Sequence, residues 1–257
     1  MLDYKILTHF LPHEYSYAQK IRGAQILKAA GRGKLLDLGA GCGWLLRYAG
    51  KRGIDAVGLD IADKVIAENK WFDRHTKYKV KIKKGSVYKI PFRDKSFNSV
   101  VISEVLEHLD RPGRAIAEAR RVLRDDGRLI LLIPGYSYNL VYDKLFSFLK
   151  RFGDLDYDRR INRKLAKYNL SHSKKWEDHH RLSYSISSLK NLLTNSGFEV
   201  KRFENSEFLS PFMNTIFCNI LGIRREKLKF LEKIDVWLCN KVPLVAGSDW
   251  MIISVKQ

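Results

Sequence analysis

Glycines occupy alternate positions in a short segment that could bind a nucleoside-containing cofactor. Gly39, Gly41 and Gly43 form a GxGxG pattern directly after the apolar run 35–38. Glycine tolerates positive φ angles and lets the backbone approach a ligand closely. Residues 44–51 have helical spacing, so the loop leads into a helix N-terminus, whose free N–H groups attract electron-rich ligand atoms. The pattern differs from the GxGxxG of dinucleotide-binding enzymes.

A carboxylate stands at the matching position of the next apolar run. Asp60 follows Gly39 by 21 residues and ends the run 56–60. At the end of a parallel strand, an acidic side chain can accept hydrogen bonds from both hydroxyls of a ribose, and it can also cap a helix that begins near Ala62. The glycine loop and the carboxylate together predict that a nucleoside lies between two strand ends.

The apolar runs that carry these residues alternate with segments of helical periodicity. Such alternation predicts parallel strands joined by helical crossovers, with helices on both faces of the sheet. We expect an α/β fold of the Rossmann-like, doubly wound type, with a seven-stranded, mostly parallel sheet and a helical cap. The expected strands are 35–38, 56–60, 78–83, 99–103, 128–133, 198–203 and 250–255. The expected helices are 13–31, 44–51, 62–69, 110–123 and one that Ser185 caps and Gly197 ends.

The chain divides into a core and two insertions. Residues 1–135 are expected to form the cofactor-binding half of the core, 136–184 a helical cap, and 185–257 the rest of the core with a second insertion at 205–249. Loops this long inside a compact domain usually carry function or helices of their own. Because aromatic and basic side chains are mixed in the cap, we expect it to select an amphipathic or anionic acceptor.

The charge balance favours anionic partners. Lys and Arg number 47 against 28 Asp and Glu, a formal net charge of +19 in 257 residues. Nucleic acid, an acidic lipid surface and phosphorylated small molecules all fit this balance, and so does a solvated surface rich in lysine. An apolar fraction of 45% excludes a disordered or collagen-like chain. The stretch 208–223, too short and polar to span a bilayer, is interpreted as a buried cap helix or as a segment on a membrane surface.

The cysteines indicate the compartment. Cys42, Cys218 and Cys239 are odd in number and form no CxxC pair, which predicts neither a disulfide framework nor a zinc site. Residues 1–30 contain no apolar stretch typical of a signal peptide. We therefore expect a cytoplasmic protein without a metal.

Several motifs resemble those of class I S-adenosylmethionine-dependent methyltransferases, in particular the type 11 domain group that acts on small molecules and lipids. LLDLGAGCG at 35–43 is similar to the family's first motif and VGLD at 57–60 to its second. The segments 85–109 and 118–134 resemble the surroundings of its fourth and fifth strands, and 179–200 resembles the segment before its sixth strand. The resemblance implies S-adenosyl-L-methionine as cofactor and S-adenosyl-L-homocysteine as product.

The resemblance also assigns roles to single residues. Asp37 would hold the loop and face the methionyl ammonium, Asp60 would bind the ribose hydroxyls, and Ser86 would line the adenine where the family often has Asp. The methionyl group would point towards Ser103, at the end of the fourth strand. The cofactor residues implied in this way are Asp37, Gly39, Ala40, Gly41, Asp60, Ile61, Ser86, Val87 and Ser103.

The expected reaction is methyl transfer from a sulfonium by in-line displacement, for which an enzyme mainly aligns the acceptor and excludes water. A base is needed only when the acceptor carries a proton of high pKa. His108 and Glu104, which follow the fourth strand on the cofactor side, are the expected catalytic residues, although His108 could instead shape the pocket through hydrogen bonds. Glu107 is interpreted as a solvated or helix-pairing charge, and the other candidate bases are His179 and His180.

The predicted function is methyl transfer to a small-molecule or lipid-like acceptor, with peripheral membrane contact as a second expected interaction. RNA methylation is suggested by charge alone and is less favoured. The (N/D)PPY-type sequence of base-amino methyltransferases is replaced by Ser103-Glu104-Val105-Leu106, and no separate RNA-binding module is visible. A protein methyltransferase and a non-catalytic relative that only binds the cofactor stay open as alternatives.

Overall fold

A computed structural model describes residues 17–75, 79–135, 182, 184–207, 229–239, 241–244 and 249–257. The helices within these residues are α1 Tyr17–Ala30, α2 Trp44–Gly50, α3 Asp63–His75, α4 Pro112–Val122, α5 Ile186–Asn195 and α6 Lys229–Cys239. The strands are β1 Leu35–Leu38, β2 Ala56–Asp60, β3 Ile82–Lys84, β4 Phe97–Ser103, β5 Leu123–Pro134, β6 Phe198–Glu207 and β7 Asp249–Lys256. Strands and helices alternate as the sequence predicts.

The strands form one sheet in the order β3-β2-β1-β4-β5-β7-β6. β1 to β5 pair in parallel, whereas β7 runs antiparallel to both β5 and β6. β6 therefore runs in the same direction as β1, and the carboxyl ends of β1, β2, β4, β5 and β6 share one side of the sheet, called here the carboxyl edge. The predicted fold class, a seven-stranded and mostly parallel α/β sheet, is confirmed.

Both faces of the sheet are buried under helices because successive strand residues point to opposite sides. Leu35, Val101 and Ile130 pack on one face together with residues of α1 and α2. Leu36 and Leu131 pack on the other face together with residues of α4 and α5. Each fully buried side chain of this size stabilises the fold by roughly 1.5–3 kcal/mol relative to its exposed state. The two apolar layers hold the strand ends that carry the candidate site.

Local signals set several element ends. Ser185 forms a capping box with Ser188 at the start of α5, and Gly197 follows the helix with a φ of 76°. The cap at Ser185 and the helix end before Gly197 were predicted. β3 is shorter than predicted and begins at Ile82, because the backbone N–H of Val80 donates to the carboxylate of Asp73 at 3.2 Å.

The predicted cap, 136–184, and the stretch 208–223 lie outside the described residues except for positions 182 and 184. In the second insertion, α6 packs against α1 and β6. The amide Nδ2 of Asn205, near the carboxyl end of β6, donates to the backbone oxygens of Cys239 and Val242 at 3.3 and 3.1 Å. α6 thus ends beside the carboxyl edge. None of the helices in the described part of the chain has the length and apolarity needed to cross a bilayer.

Candidate active site

The three glycines of the loop after β1 have different neighbours, although all have positive φ angles. A Cβ on Gly39 would lie 2.3 Å from the Cγ2 of Val105, and a Cβ on Gly43 would lie 2.7 Å from the Nη1 of Arg47. A Cβ on Gly41 would meet nothing closer than a backbone oxygen at 3.9 Å. Gly41 is therefore the loop glycine that leaves open space for a ligand, while the other two make room for protein atoms.

The loop is attached to the neighbouring strand by its backbone. The N–H groups of Gly39 and Ala40 both donate to the carbonyl oxygen of Leu59, at 2.8 and 3.1 Å. The methyl group of Ala40 is buried and faces Gly58, where an added Cβ would lie only 2.6 Å away. Because its methyl group is buried, Ala40 can contact a ligand only through its backbone.

Asp60 connects the two strand ends that form the site. Its Oδ2 accepts the backbone N–H of Gly41 and its Oδ1 accepts the N–H of Ala62, both at 2.9 Å. An ionised carboxylate offers about four lone-pair positions, so two stay available for the hydroxyls of a ribose. The half-buried Asp60 therefore stabilises the turn into α3 and faces the site at the same time.

Asp37 is a buried carboxyl group beneath the loop, only 4% exposed in β1. Burial raises the pKa of this carboxyl to about 7, and the nearby charge of Asp60 adds to the increase. A cation placed between the two side chains would favour the ionised form of Asp37. The pair consequently fits a ligand that carries positive charge, such as an amino acid ammonium.

The residues predicted to line the adenine lie at the ends of β2 and β3. Ile61, which follows β2, is 68% exposed. The N–H of Gly85 donates to the backbone oxygen of Asp60 at 3.0 Å, which brings Ser86 to the same strand ends. Ser86 Oγ accepts the N–H of Tyr88 at 3.2 Å. Ile61 supplies an apolar surface on which a planar ring can pack.

Asp37, Gly41, Asp60 and Ile61 are called here the cofactor cradle. They come from β1, the glycine loop and the end of β2, which the parallel pairing of Leu38 with Leu59 holds side by side. Val87 is partly buried against the core, behind Ser86. The structure therefore gathers the residues predicted for the ribose, the adenine and the amino acid part at one corner of the carboxyl edge.

The end of β4 carries the predicted catalytic residues. Ser103 is the last residue of β4. Glu104 follows with a φ of 55°, a left-handed backbone conformation that residues other than glycine rarely adopt. A short 3-10 turn, Leu106–His108, follows. The His108 side chain is 12% exposed, and its Nε2 lies 3.7 Å from the Oε1 of Glu107. Such backbone strain is often found where a side chain must be aimed at a site.

The interpretation of Glu107 as a solvated charge is wrong. Its side chain is only 3% exposed, because the 3-10 turn directs it into the protein. Glu107 contributes to raising the pKa of the buried Tyr184 to about 12, after the larger effect of burial. The hydroxyl of Tyr184 donates to the backbone oxygen of Leu106 at 3.3 Å. The burial of Glu107 depends on how the turn packs, which the sequence does not specify.

The remaining site predictions have mixed outcomes. His179 and His180 lie outside the described residues. Sequence reasoning missed Arg47 of α2 and Asn69 of α3, which donate to backbone oxygens of the glycine loop. The signal that could have found Arg47 is a charged residue at an apolar position of α2. Within the described ranges, no group of three His, Cys, Asp or Glu side chains is arranged to hold a metal ion.

Known proteins resemble this chain mainly in its first half. A sequence model of the family described as a methyltransferase domain matches residues 36–131. An uncharacterised methyltransferase of Mycobacterium bovis is 37% identical over 107 residues, which are 42% of each chain. A demethylmenaquinone methyltransferase of Thermotoga maritima is 26% identical over 133 residues, 50% of this chain and 56% of the relative. The match thus spans about half of the length of these curated relatives.

Solved structures show a similar architecture. The crystal structure of an S-adenosylmethionine dependent methyltransferase from Mesorhizobium loti aligns with 93% of this chain and 98% of its own, with a TM-score of 0.57. Sequence identity in this alignment is 14%, so the likeness shows the architecture alone.

Proposed function

Because the chain belongs to the class I S-adenosylmethionine-dependent methyltransferase family, we propose that it moves the methyl group of S-adenosyl-L-methionine to a small-molecule or lipid-like acceptor and releases S-adenosyl-L-homocysteine. The observation that carries the proposal is the cofactor cradle, in which a carboxylate, an open glycine and an exposed apolar side chain meet at two strand ends. When bound, the sulfonium supplies an activated methyl group that needs no further chemical activation.

Each part of the cradle suits one part of that cofactor. Asp60 accepts the ribose hydroxyls, Ile61 packs against the adenine, and Gly41 allows the close approach of the amino acid part. Asp37 and Asp60 lie close enough for the charge of Asp60 to raise the pKa of Asp37. Since the cofactor carries a sulfonium and an ammonium, its binding relieves this repulsion between carboxylates.

The acceptor is proposed to bind at the end of β4. His108 is partly accessible there, and an imidazole nitrogen can take a proton from an acceptor hydroxyl. Glu104 is held by the hydrogen bond from its N–H to the backbone oxygen of Leu132 at 3.0 Å, which fixes the start of the turn. The two residues are proposed to orient the acceptor and to receive its proton when it has one.

A lipid-like acceptor is supported by the exposed face of α6. Phe230 and Trp237 are 71% and 60% exposed, and Lys233 lies exposed between them. The spacing i, i+3, i+7 puts all three side chains on one face of the helix. Aromatic and lysine side chains on one face are typical of helices that lie on a membrane surface.

We propose that this α6 face contacts an anionic bilayer. The net charge of +19 attracts acidic lipids and disfavours a second copy of the chain as the occupant. α6 ends beside the carboxyl edge through the contacts of Asn205, so the bilayer would lie near the acceptor site. The name of the Thermotoga relative, a demethylmenaquinone methyltransferase, is compatible with an apolar acceptor.

Calorimetry tests the cofactor part of the proposal. We expect binding heat from S-adenosyl-L-methionine and S-adenosyl-L-homocysteine and none from NAD. Heat from NAD alone would contradict the assignment. The acceptor is then sought by incubating the protein with methyl-labelled cofactor and fractions of a cell extract. Label in the lipid or small-molecule fraction supports the proposal, whereas label confined to RNA or protein contradicts it.

A further inference from the structure

A fully buried arginine lies directly beneath the glycine loop. The residue Arg47 of α2 is 2% exposed, and its guanidinium group stacks over the ring of Phe72 at 4.7 Å. Burying a charge is unfavourable unless hydrogen bonds and an opposite charge compensate for the lost water. Here Nη2 pairs with Oδ1 of Asp73 at 3.1 Å, and Nη1 donates to the backbone oxygen of Cys42 at 2.5 Å. Arg47 thus joins the loop to α3.

A buried amide completes this contact. Asn69 of α3 accepts a 3.0 Å hydrogen bond from Nη1 of Arg47 at its Oδ1. Its Nδ2 donates to the backbone oxygen of Gly41 at 2.8 Å and to that of Val65 at 2.9 Å. Both ends of the amide therefore have defined partners, so its orientation is determined. Arg47 and Asn69 together hold two successive carbonyl groups of the loop.

The two hydrogen bonds fix the direction of the loop peptides. In a planar trans peptide, the carbonyl and the N–H point in opposite directions. Since the oxygen of Gly41 points to Asn69, the N–H of Cys42 points away from α3. Gly43 belongs to the same arrangement, because a Cβ there would lie 2.7 Å from Nη1 of Arg47 and 3.0 Å from Oδ1 of Asn69. The third glycine of the motif is thus explained by Arg47 and Asn69 rather than by a ligand.

We infer that Arg47 and Asn69 are positioning residues for the cofactor. They hold Gly41 and Cys42 in the conformation that a ligand meets, so the loop need not become ordered when the ligand binds. Neither residue belongs to the cofactor cradle, and their effect is exerted through the loop backbone. This inference rests on the proposed function of the cradle.

The test replaces one atom of this network. Asn69→Asp keeps the size of the side chain and the acceptor for Arg47, but it replaces the donor to Gly41 with an oxygen that repels the carbonyl. We expect the Kd for S-adenosyl-L-homocysteine and the KM for S-adenosyl-L-methionine to rise about tenfold, the equivalent of about 1.4 kcal/mol, with kcat nearly unchanged. A purely structural role would lower the melting temperature without this split between KM and kcat.

Asn205→Asp is the matched control, because it makes the same change in a buried amide that donates to backbone oxygens at the end of β6. We expect it to lower the melting temperature but to leave the Kd unchanged. All Kd values are measured well below the melting temperature of each variant. An equal loss of affinity in both variants would overturn the inference, and so would a Kd within twofold of the wild type for Asn69→Asp.

Arg47→Lys tests the same inference if Asn69→Asp does not fold. Lysine keeps the charge but cannot reach Cys42, Asn69 and Asp73 together, so we expect weaker cofactor binding; unchanged binding would overturn the inference. If the wild-type chain binds neither S-adenosyl-L-methionine nor S-adenosyl-L-homocysteine, the proposed function itself fails. That result is distinct from one in which wild type and variants bind equally well.

Discussion

The Oδ2 atom of Asp60 accepts the backbone N–H of Gly41 at 2.9 Å, across 19 residues of chain. Gly41 lies in the loop after β1 and Asp60 ends β2, so this hydrogen bond joins the two sides of the cofactor cradle. The other carboxylate oxygen accepts the N–H of Ala62 at 2.9 Å. A carboxylate oriented by two N–H groups directs its remaining lone pairs to one side. The Asp60 side chain therefore loses less conformational entropy when a ribose binds.

Asp60→Asn tests the role of this carboxylate. The amide removes the charge, and its NH2 group cannot accept the second of the two backbone N–H groups. We expect at least a tenfold rise in the Kd for S-adenosyl-L-homocysteine, measured by calorimetry, and a loss of about 1 kcal/mol in unfolding free energy. Asp63→Asn is the control, since that carboxylate is 78% exposed and pairs with Lys84. A control variant that lost as much affinity would contradict the role of Asp60.

Two glycine substitutions should both lower stability but should differ in their effect on cofactor binding. Gly41→Ala places a methyl group in the space open to the ligand, with only the moderate strain of a φ of 50°. We expect it to abolish cofactor binding and to lower stability by about 1–2 kcal/mol. Gly58→Ala pushes a methyl group to 2.6 Å from that of Ala40, so we expect a loss of roughly 1–3 kcal/mol from overpacking.

Urea unfolding and calorimetry on both glycine variants check the contrast. Relative to the loss in unfolding free energy, the loss in binding free energy should be far larger for Gly41→Ala than for Gly58→Ala. Strong cofactor binding by a folded Gly41→Ala variant would mean that the ligand does not approach the loop at this residue.

The pH dependence of stability should report on Asp37. Burial and the charge of Asp60 raise its pKa from 3.8 to about 7, so the folded state holds this proton more tightly than the unfolded state. The stabilisation from Asp37 is therefore fully present below about pH 4 and is lost as the pH rises to about 7. Asp37→Asn should lack this decline, and its melting temperature should exceed that of the wild type most clearly at pH 8.

Cofactor affinity should have the opposite pH dependence. A cationic ligand prefers the ionised form of Asp37, so the Kd for S-adenosyl-L-homocysteine should fall as the pH rises towards 7 and then level off. Calorimetry from pH 5.5 to 8 measures this. A Kd that is independent of pH in the wild type, or equally pH-dependent in Asp37→Asn, would show that the ammonium does not face Asp37.

His108→Gln should separate catalysis from cofactor binding. The amide keeps a polar side chain near Glu107 but cannot take a proton. With an acceptor that must lose a proton, we expect kcat to fall by about 10²–10⁴-fold, while the Kd for S-adenosyl-L-homocysteine stays the same. Single-turnover transfer of labelled methyl measures the effect. If kcat changes less than threefold with a hydroxyl acceptor, His108 is not the base.

The α6 face should direct the protein to anionic bilayers. The double substitution Phe230→Ala with Trp237→Ala removes the exposed aromatic side chains, and we expect it to reduce cosedimentation with phosphatidylglycerol vesicles several-fold. Wild-type binding should fall with salt and should be weak on phosphatidylcholine vesicles, because surface charge contributes. Equal binding of wild type and the double variant, or a dimer that the double variant abolishes, would contradict the membrane contact.

Much of the cofactor cradle was predicted from local patterns. The glycines at 39 and 41, the strand before them and Asp60 at the end of the next strand are properties of short segments with characteristic spacing. Parallel strands place their carboxyl ends together whatever the loops contain. The alternation of strands and helices also predicted a sheet covered on both faces, because apolar periodicity directly reflects which side of an element is buried.

Long-range packing decided what the local patterns left open. Gly43 belongs to the same motif as Gly41, but its neighbour is Arg47, and that arginine is neutralised by Asp73 on another helix. The burial of Glu107 likewise depends on the turn after β4 and on contacts with a distant part of the chain, such as the hydrogen bond from Leu182 to its backbone oxygen.

The sequence by itself therefore determined the fold class, the strand ends that form the site and the type of cofactor that fits there. Tertiary structure alone decided which loop glycine has open space beside it, which polar groups hold the loop and which carboxyl groups are removed from water by burial. The physical reason is that hydrogen bonds and desolvation act over a few ångströms in space, and residues far apart in sequence supply the atoms at that distance.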